Sequence, residues 1–262
     1  MKWKTFVVGW SLALALLLFA QRHKAVPPQP LVRSVVDLTH SISPQSPTYQ
    51  PVKESPFQAR TVASYDQQGY FARDIALPEH FATHIDAPAH LQRGAWTVDQ
   101  IPPARLVGPL VVLDVIRKAS SNADYQVALE DIAGWEEVNG QIPPGSVVMA
   151  RTGWSWRWNS AKEYRNADAR GVMHFPGWSV EAARFLVESR DAYGLGIDTL
   201  STDSGDSKDL PVHKYLGAHG VYGLENVADL GPVPSSGSLL VVAPAKLQDG
   251  SGGPVRILAL VH

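Results

Sequence analysis

Short apolar runs restrict the fold of this chain more than any other feature of its sequence. Residues 110–114 read LVVLD, and residues 146–150 read SVVMA after the turn-forming sequence Pro143-Pro144-Gly145. Such runs are too short to be typical helices and predict buried strands. Similar patterns predict four further strands, over residues 32–38, 193–197, 239–243 and 255–260.

One segment has the clear pattern of a helix. Ser179 can cap a helix over residues 179–190, in which Ala182, Phe185 and Leu186 share one face. Residues 41–55 are rich in Pro and Ser and predict a loop. Because strands outnumber helices and neither a repeat nor a domain break is visible, the chain is predicted to form one mixed α/β domain.

Three tryptophans alternate along the chain at Trp154, Trp156 and Trp158. This alternation predicts that they share one face of a strand. Such a face can form the wall of an aromatic pocket, although packing in the core is the favoured interpretation.

The first 24 residues have the pattern of an export signal. Lys2 and Lys4 precede an apolar run over residues 5–20, which is shorter than the ~20 residues of a full membrane span. Residues 18–20 (LFA) lack the small-residue pattern of a cleavage site, so an uncleaved membrane anchor is the alternative. Either interpretation predicts export to the periplasm or the extracellular space. Residues 25–31 predict a Pro-rich linker, and residues 32–262 the folded domain.

Composition excludes several kinds of site. The chain has no cysteine, so a metal must be held by His, Asp or Glu, and a Cys nucleophile is excluded. The net charge is -2 and there is no basic run, so nucleic acid is not an expected partner. The sequence contains no G-x-S-x-G pattern, which argues against a serine hydrolase.

Residues 80–90 (HFATHIDAPAH) concentrate groups that bind metal ions, namely His80, His84, Asp86 and His90. A straight strand rising ~3.3 Å per residue would hold His80 and His84 about 13 Å apart, which is too far to share an ion. A helix would direct Asp86 away from both. The chain must therefore bend between His80 and His84, and we expect a strand end followed by a tight turn that carries the ligands.

The same segment resembles the signature of the cyclase family of metal-dependent hydrolases, which includes bacterial kynurenine formamidase and isatin hydrolase. The family pattern is H-x-G-T-H-x-D-x-P-x-H, and Ala82 stands where relatives carry Gly. We expect an ordinary backbone angle at this alanine. The resemblance extends from residue 32 to the end and implies a mixed α/β domain of the swivelling β/β/α type. Further similar stretches are DLTHSISP (37–44), RTGW (151–154), FPG (175–177), GIDT (196–199), VHKYL (212–216) and GLEN (223–226).

The resemblance implies a role for each polar residue of the motif. His80, His84 and Asp86 correspond to metal ligands of the family. His90 corresponds to its general acid/base. The implied cofactor is a divalent metal, Zn or Mn, with one or two ions per chain.

Later residues correspond to a second metal site in the family members that bind two ions. His213 and Glu225 stand twelve residues apart in the matching context, and they would hold a second ion shared with Asp86. A short helix beginning at Pro211 would carry His213 and end at Gly220, and residues 221–225 would then return as a strand. Tyr49 corresponds to an aromatic residue that contacts the substrate, although a packing role is an equal alternative. The family also implies a homodimer or homotetramer.

The predicted reaction is hydrolysis of the C–N bond of a small amide or lactam by a metal-activated water. His90 would carry the proton from the water to the leaving nitrogen. Two alternatives remain open. The same metal site can serve a lactone hydrolase or a cyclase/dehydratase, and the chain can be a metal- or ligand-binding protein without catalysis.

Overall fold

The structure is a computed structural model that describes residues Val32–His262; the predicted export or anchor segment and the linker lie outside the described residues. The strands are β1 (Ser34–Asp37), β2 (Gln58–Ala63), β3 (Ala72–Ala76), β4 (His84–Asp86), β5 (Val107–Asp114), β6 (Gln126–Val127), β7 (Val147–Arg151), β8 (Gly177–Trp178), β9 (Gly194–Ile197), β10 (Tyr222–Glu225), β11 (Ser238–Pro244) and β12 (Gly252–Val261). The helices are α1 (Tyr65–Gln68), α2 (Ile116–Ser121), α3 (Leu129–Asn139), α4 (Ala161–Arg165), α5 (Val180–Arg190) and α6 (Pro211–Ala218). Short 3₁₀ helices cover Pro88–His90, Val98–Gln100, Pro103–Arg105 and Trp154–Arg157. The predicted mixed α/β class is confirmed.

Seven of the strands close into a barrel. They neighbour one another in the order β12, β11, β5, β7, β9, β10 and β4, and β4 pairs again with β12. The pairs β5–β7, β7–β9 and β9–β10 are parallel, and the other pairs of the ring are antiparallel. Strand β1 adds to β12 outside the ring. Closure leaves no free edge in the ring. The sequence patterns predicted the strands but not this pairing.

The seven predicted strands all occur, and the side chains of β5 and β7 alternate between two cores. Leu110 and Val112 of β5 belong to the core inside the barrel, whereas Val111 and Leu113 belong to an outer core. Helices α3, α5 and α6 pack on the outer core. Because both faces of β5 and β7 are buried, their sequences are continuous apolar runs rather than alternating ones.

Two glycines of β9 make room inside the barrel. A Cβ on Gly196 would lie 2.0 Å from Sδ of Met149, and a Cβ on Gly194 would lie 2.2 Å from the ring of Tyr222. Leu195, between the two glycines, points into the outer core. Strand β9 can therefore pass close to the large inward side chains of its neighbours only because it presents no side chain to them.

Both predicted helices occur. The hydroxyl of Ser179 caps α5 by accepting a hydrogen bond from the backbone N–H of Ala182 at 3.1 Å. Helix α6 begins at Pro211 and carries His213 in its first turn. Within residues 32–262, no helix is long and apolar enough to cross a membrane.

The predicted strand through the alternating tryptophans is wrong. The chain turns at Gly153, which has a φ of 80°, and then forms the 3₁₀ helix. Trp154 is buried as a result, while Trp156 is 62% exposed. The predicted loop over residues 41–55 is confirmed, since it contains neither helix nor strand.

A hairpin of β2 and β3, with α1 between them, was not predicted. Most of its residues are exposed on both faces, and within residues 32–262 the two strands pair only with each other. Several large apolar side chains of this exposed hairpin (residues 58–76) face solvent, namely Val62, Tyr65, Tyr70, Phe71 and Ile75. Its strands, QARTVA and ARDIA, have adjacent polar residues and no clear alternation of polar and apolar positions, so the sequence carried no strand signal there.

Candidate active site

Strand β4 presents two titratable side chains on the outer face of the barrel wall. His84 and Asp86 flank Ile85, which belongs to the inner core, so the two polar side chains point outward. The register with β10 places Glu225 directly opposite His84. All three polar side chains are buried. The candidate site therefore lies where β4 and β10 pair, outside the barrel core.

The chain bends at Ala82, as the motif required. The prediction of an ordinary backbone angle at this position is wrong, however, because Ala82 has a φ of 58°. This left-handed conformation costs a residue with a Cβ about 1–2 kcal/mol. The carbonyl of Ala82 accepts hydrogen bonds from Nδ1 of His84 at 2.9 Å and from Nδ2 of Asn226 at 2.8 Å, which hold the turn. The turn precedes β4, so His84 and Asp86 lie on a strand rather than in the turn itself.

The carboxylate of Asp86 is the centre of the cluster. Its Oδ1 lies 2.5 Å from Nδ1 of His80 and 3.2 Å from Nε2 of His84. Its Oδ2 lies 3.2 Å from Nε2 of His213. Glu225 closes the arrangement, with its carboxylate oxygens 3.0 Å from Nε2 of His213 and 3.5 Å from Nε2 of His84. The structure thus brings the five predicted ligands together.

The donor set of this cluster fits a divalent cation. Ligand atoms within 4.8 Å of one another form two groups that share Asp86, one with His80 and His90 and the other with His84 and Glu225. The Oδ2 atom of Asp86 is buried and accepts no hydrogen bond, which leaves it available to a cation. Imidazole nitrogens and carboxylate oxygens, with no sulfur, are ligands that suit Zn²⁺ and Mn²⁺.

The cluster shifts the pKa values of its members strongly. Burial alone would lower the pKa of His84, but the charges of Asp86 and Glu225 outweigh burial and raise it to about 9. Burial also opposes the charged form of His213, whose pKa is nevertheless raised well above its usual value, chiefly by the charge of Glu225. Conversely, the charge of His84 overcomes the burial of Asp86 and holds its pKa well below the usual range. Without a cation, protons on His84 and His213 balance the buried carboxylates.

We expect the melting temperature of the metal-free protein to fall as the pH rises from about 6.5 to about 9. The pKa of His84 in the folded chain, about 9, lies above its unfolded value, so its proton stabilises the fold fully below the unfolded pKa. This contribution is lost as the pH rises through the folded pKa. Thermal melts over this interval test the prediction, with the metal-loaded protein as control. A melting temperature that rises across the interval would contradict it.

Two residues after β9, Thr202 and Asp203, hold His213 and Glu225 in place, and the sequence analysis missed both. Asp203 accepts hydrogen bonds from the backbone N–H groups of Val212 and His213, at 2.9 and 3.1 Å, and from Nδ1 of His213 at 2.6 Å. It therefore caps α6 and directs Nε2 of His213 to the site. The backbone N–H of Thr202 donates to Oε1 of Glu225 at 2.7 Å. Polar residues directly after a buried strand were the available signal.

His90 lies beside the cluster at the end of the 3₁₀ helix that begins at Pro88. Its ring centroid is 3.9 Å from that of His80 and 6.0 Å from that of His213. Burial lowers the pKa of His90 to about 4, aided by the positive charges of neighbouring histidines and opposed by Asp86. A neutral imidazole at neutral pH can accept a proton. Its role as general acid/base stays a prediction.

A cavity of about 210 Å³ opens onto the cluster. Tyr49 lines it and is half-buried, and burial followed by the charge of Glu225 raises the pKa of its hydroxyl, which therefore stays protonated. The position agrees with the predicted substrate contact of Tyr49 without testing it. The cavity is lined by Pro47, Thr48, Tyr49, His80, Ala82, His84, Asp86, His90, Leu200, Ser201, Leu210, His213, Glu225 and Asn226. The three tryptophans 154, 156 and 158 are not among these residues.

Comparisons with known proteins agree with the motif. The model of the Cyclase family matches residues 36–204. An isatin hydrolase of Roseibium aggregatum is 32% identical over 242 residues, which cover 87% of this chain and 91% of that protein. A kynurenine formamidase of Salinibacter ruber is 26% identical and covers 85% of this chain and 95% of its own length.

A solved structure shares the fold. Isatin hydrolase A from Labrenzia aggregata, bound to benzyl benzoate, superposes with a TM-score of 0.81 at 36% identity. The match covers 95% of this chain and 99% of that structure. The family match spans more than half of the chain and includes the whole motif from His80 to His90. This chain belongs to the cyclase family.

Proposed function

We propose that this chain is a metal-dependent hydrolase that cleaves the C–N bond of a small amide or lactam. Its similarity to an isatin hydrolase and a kynurenine formamidase supports this choice of bond. One observation carries the proposal. A neutral, solvent-accessible His90 stands beside the Asp86-centred cluster and opens with it onto one cavity. The five predicted ligands already form a metal site without His90, so this further imidazole supports catalysis rather than storage or sensing alone.

The residues that would hold the cation are His80, His84, Asp86, His213 and Glu225, and we propose Zn²⁺ or Mn²⁺, as one or two ions. When bound, such an ion would lower the pKa of a bound water to about 7 and polarise a carbonyl oxygen. Its positive charge would replace the protons that the histidines carry in the metal-free protein.

The side chains of the chain itself would handle the proton and orient the substrate. A ring nitrogen of His90, which its lowered pKa leaves unprotonated, would accept the proton that the attacking water releases and return it to the leaving nitrogen. Tyr49 borders the cavity and offers a hydroxyl hydrogen to the substrate. The burial of His84, Asp86 and Glu225 keeps bulk water away from these ligands.

Hydrolysis of a C–O bond is the second candidate. One similar structure, an isatin hydrolase A, holds benzyl benzoate, which is an ester. The same water and the same imidazole can act on an ester or a lactone.

A matched substrate panel tests the proposal. We expect the purified full-length chain, after loading with Zn²⁺ or Mn²⁺, to hydrolyse isatin or a formyl-anilide, and a chelator to abolish that activity until metal is restored. The corresponding lactone and ester should react more slowly. Activity that survives removal of all metal would refute the metal-dependent mechanism. Faster reaction of the lactone would establish the second candidate instead.

We further propose that the chain assembles as a homodimer or homotetramer through the exposed hairpin. An isolated two-stranded hairpin is marginally stable in water, and Phe71 and Ile75 are 53% and 60% exposed. Light scattering coupled to size-exclusion chromatography should show an oligomer that Phe71→Asp dissociates. A monomeric wild-type chain would contradict the proposal.

We also propose that the protein is exported, through residues 1–24 as a cleaved signal or as a membrane anchor. The positive start and the apolar run support this proposal. Cell fractionation followed by N-terminal sequencing tests it and separates the two forms. Recovery of the intact chain in the cytoplasm alone would refute export.

A further inference from the structure

A second set of contacts holds His80 from the side opposite to the cluster. While Nδ1 of His80 faces Asp86, its Nε2 lies 2.9 Å from the hydroxyl of Ser251. Glu79 accepts two hydrogen bonds from Ser251, one from the hydroxyl at 2.6 Å and one from the backbone N–H at 3.0 Å. We call these two residues the Glu79–Ser251 pair.

The direction of the hydrogen bonds determines the tautomer of His80. The carboxylate of Glu79 can only accept, so the single hydroxyl hydrogen of Ser251 is donated to Glu79. The Oγ of Ser251 is then left as an acceptor, and Nε2 of His80 must carry the hydrogen that it receives. With Nε2 engaged by Ser251, Nδ1 of His80 is the nitrogen that would bind a cation in place of its present contact with Asp86.

The backbone around the pair is shaped for the imidazole. A Cβ on Gly252 would lie 2.5 Å from Cε1 of His80, so a side chain at the residue after Ser251 would displace the ring. Ser251 itself is fixed by a backbone hydrogen bond, in which its carbonyl accepts from Ala87 at 2.9 Å. Glu79 is partly buried and adjoins His80 in the chain. The ring is thus held by neighbours on both sides.

We propose that Glu79 and Ser251 are positioning residues that keep His80 in the Nε2–H tautomer and present Nδ1 as the metal ligand. The inference rests on the metal site of the proposed function and extends it to two residues that do not touch the cation. A carboxylate behind a ligating histidine raises the basicity of the ligand and fixes its orientation, and its loss typically weakens metal binding about 10–100-fold.

Calorimetric titration of the metal-free, full-length protein with Zn²⁺ and with Mn²⁺ tests the inference. We expect Ser251→Ala and Glu79→Gln each to weaken binding about 10–100-fold. Ser251→Thr keeps the hydroxyl and should restore most of the affinity. Glu188→Gln is the matched control, because Glu188 also accepts a hydrogen bond from a hydroxyl, that of Tyr215 at 2.8 Å, outside the cavity.

Two further measurements separate positioning from a general structural role. The kcat of Ser251→Ala should recover at saturating metal, and the melting temperature of its metal-free form should stay near that of wild type. Nitrogen-15 NMR of the Zn²⁺-loaded protein should show Nε2–H at His80 in wild type and a mixture of ligating nitrogens in Ser251→Ala.

The outcomes distinguish the inference from the proposed function. If wild type binds metal and both variants bind it equally well, the inference fails and the metal site stands. If wild type binds neither metal, the proposed function itself fails. If Ser251→Thr binds as weakly as Ser251→Ala, the hydroxyl is not the positioning group and the inference fails.

Discussion

We expect His90→Ala to retain its bound metal and to lose about 10²–10⁴-fold in kcat, the usual contribution of a positioned acid/base. The reason is geometric and electrostatic. His90 lies beside the cluster rather than at its centre, so its removal leaves the contacts of Asp86 with His84 and His213 in place. What is lost is the neutral imidazole that burial keeps available to accept a proton.

Metal content and steady-state kinetics of the same preparation measure this effect. His219→Ala is a suitable control, because His219 lies at the end of α6 and its Nδ1 donates to the carbonyl of Tyr215 at 2.8 Å, outside the cavity. We expect the control to keep near-wild-type turnover. Full activity in His90→Ala would refute its role as acid/base. Loss of metal in His90→Ala would make it a ligand instead.

We expect the second large effect from Asp86→Asn, which should abolish metal binding as well as activity. Asp86 is the only residue that belongs to both groups of candidate ligands among the described residues. An amide cannot supply the negative charge that the surrounding histidines and the cation both need. The loss in affinity should exceed about 100-fold, the upper end of the effect of residues that only support a ligand.

Metal analysis after dialysis against Zn²⁺ or Mn²⁺ measures this loss. Asp124→Asn is the matched control, because Asp124 also faces an imidazole, with its carboxylate 2.9 Å from Nδ1 of His174, but it lies outside the cavity. The control should retain metal and activity. Wild-type metal content in Asp86→Asn would place the cation elsewhere.

Local sequence patterns predicted the elements of this fold well but not their arrangement. The apolar runs of β5 and β7 and the cap at Ser179 are local signals, and the corresponding elements occur. Barrel closure depends on β4, a strand of only three residues, pairing with both β10 and β12. Such pairing joins segments more than 130 residues apart in the chain. A local sequence pattern cannot predict it.

The candidate ligands were predictable because their motif is compact, whereas their supporting residues were not. His80, His84 and Asp86 fall within seven residues of sequence. By contrast, Ser251 and Glu79 are 172 residues apart in the chain. Nothing in the sequence distinguishes Asp203 from the other aspartates, because its contact with His213 forms only when α6 packs against it. Residues that support a ligand become visible only when the chain is folded.

Ala82 shows why a local rule failed. Alanine avoids positive φ in isolation, so an ordinary angle was expected. In the folded chain its carbonyl receives hydrogen bonds from His84 and Asn226, and those tertiary contacts outweigh the local preference. The strain is stored where the two segments of the site meet.

X-ray diffraction at the absorption edge of the bound metal, from crystals of enzyme shown to be active, tests the central claim most directly. We predict an anomalous peak about 2.0–2.2 Å from a carboxylate oxygen of Asp86, with histidine nitrogens of the same cluster completing its ligands. A peak elsewhere in the molecule, or no peak in an active enzyme, would contradict the assignment of this cluster as the catalytic metal site.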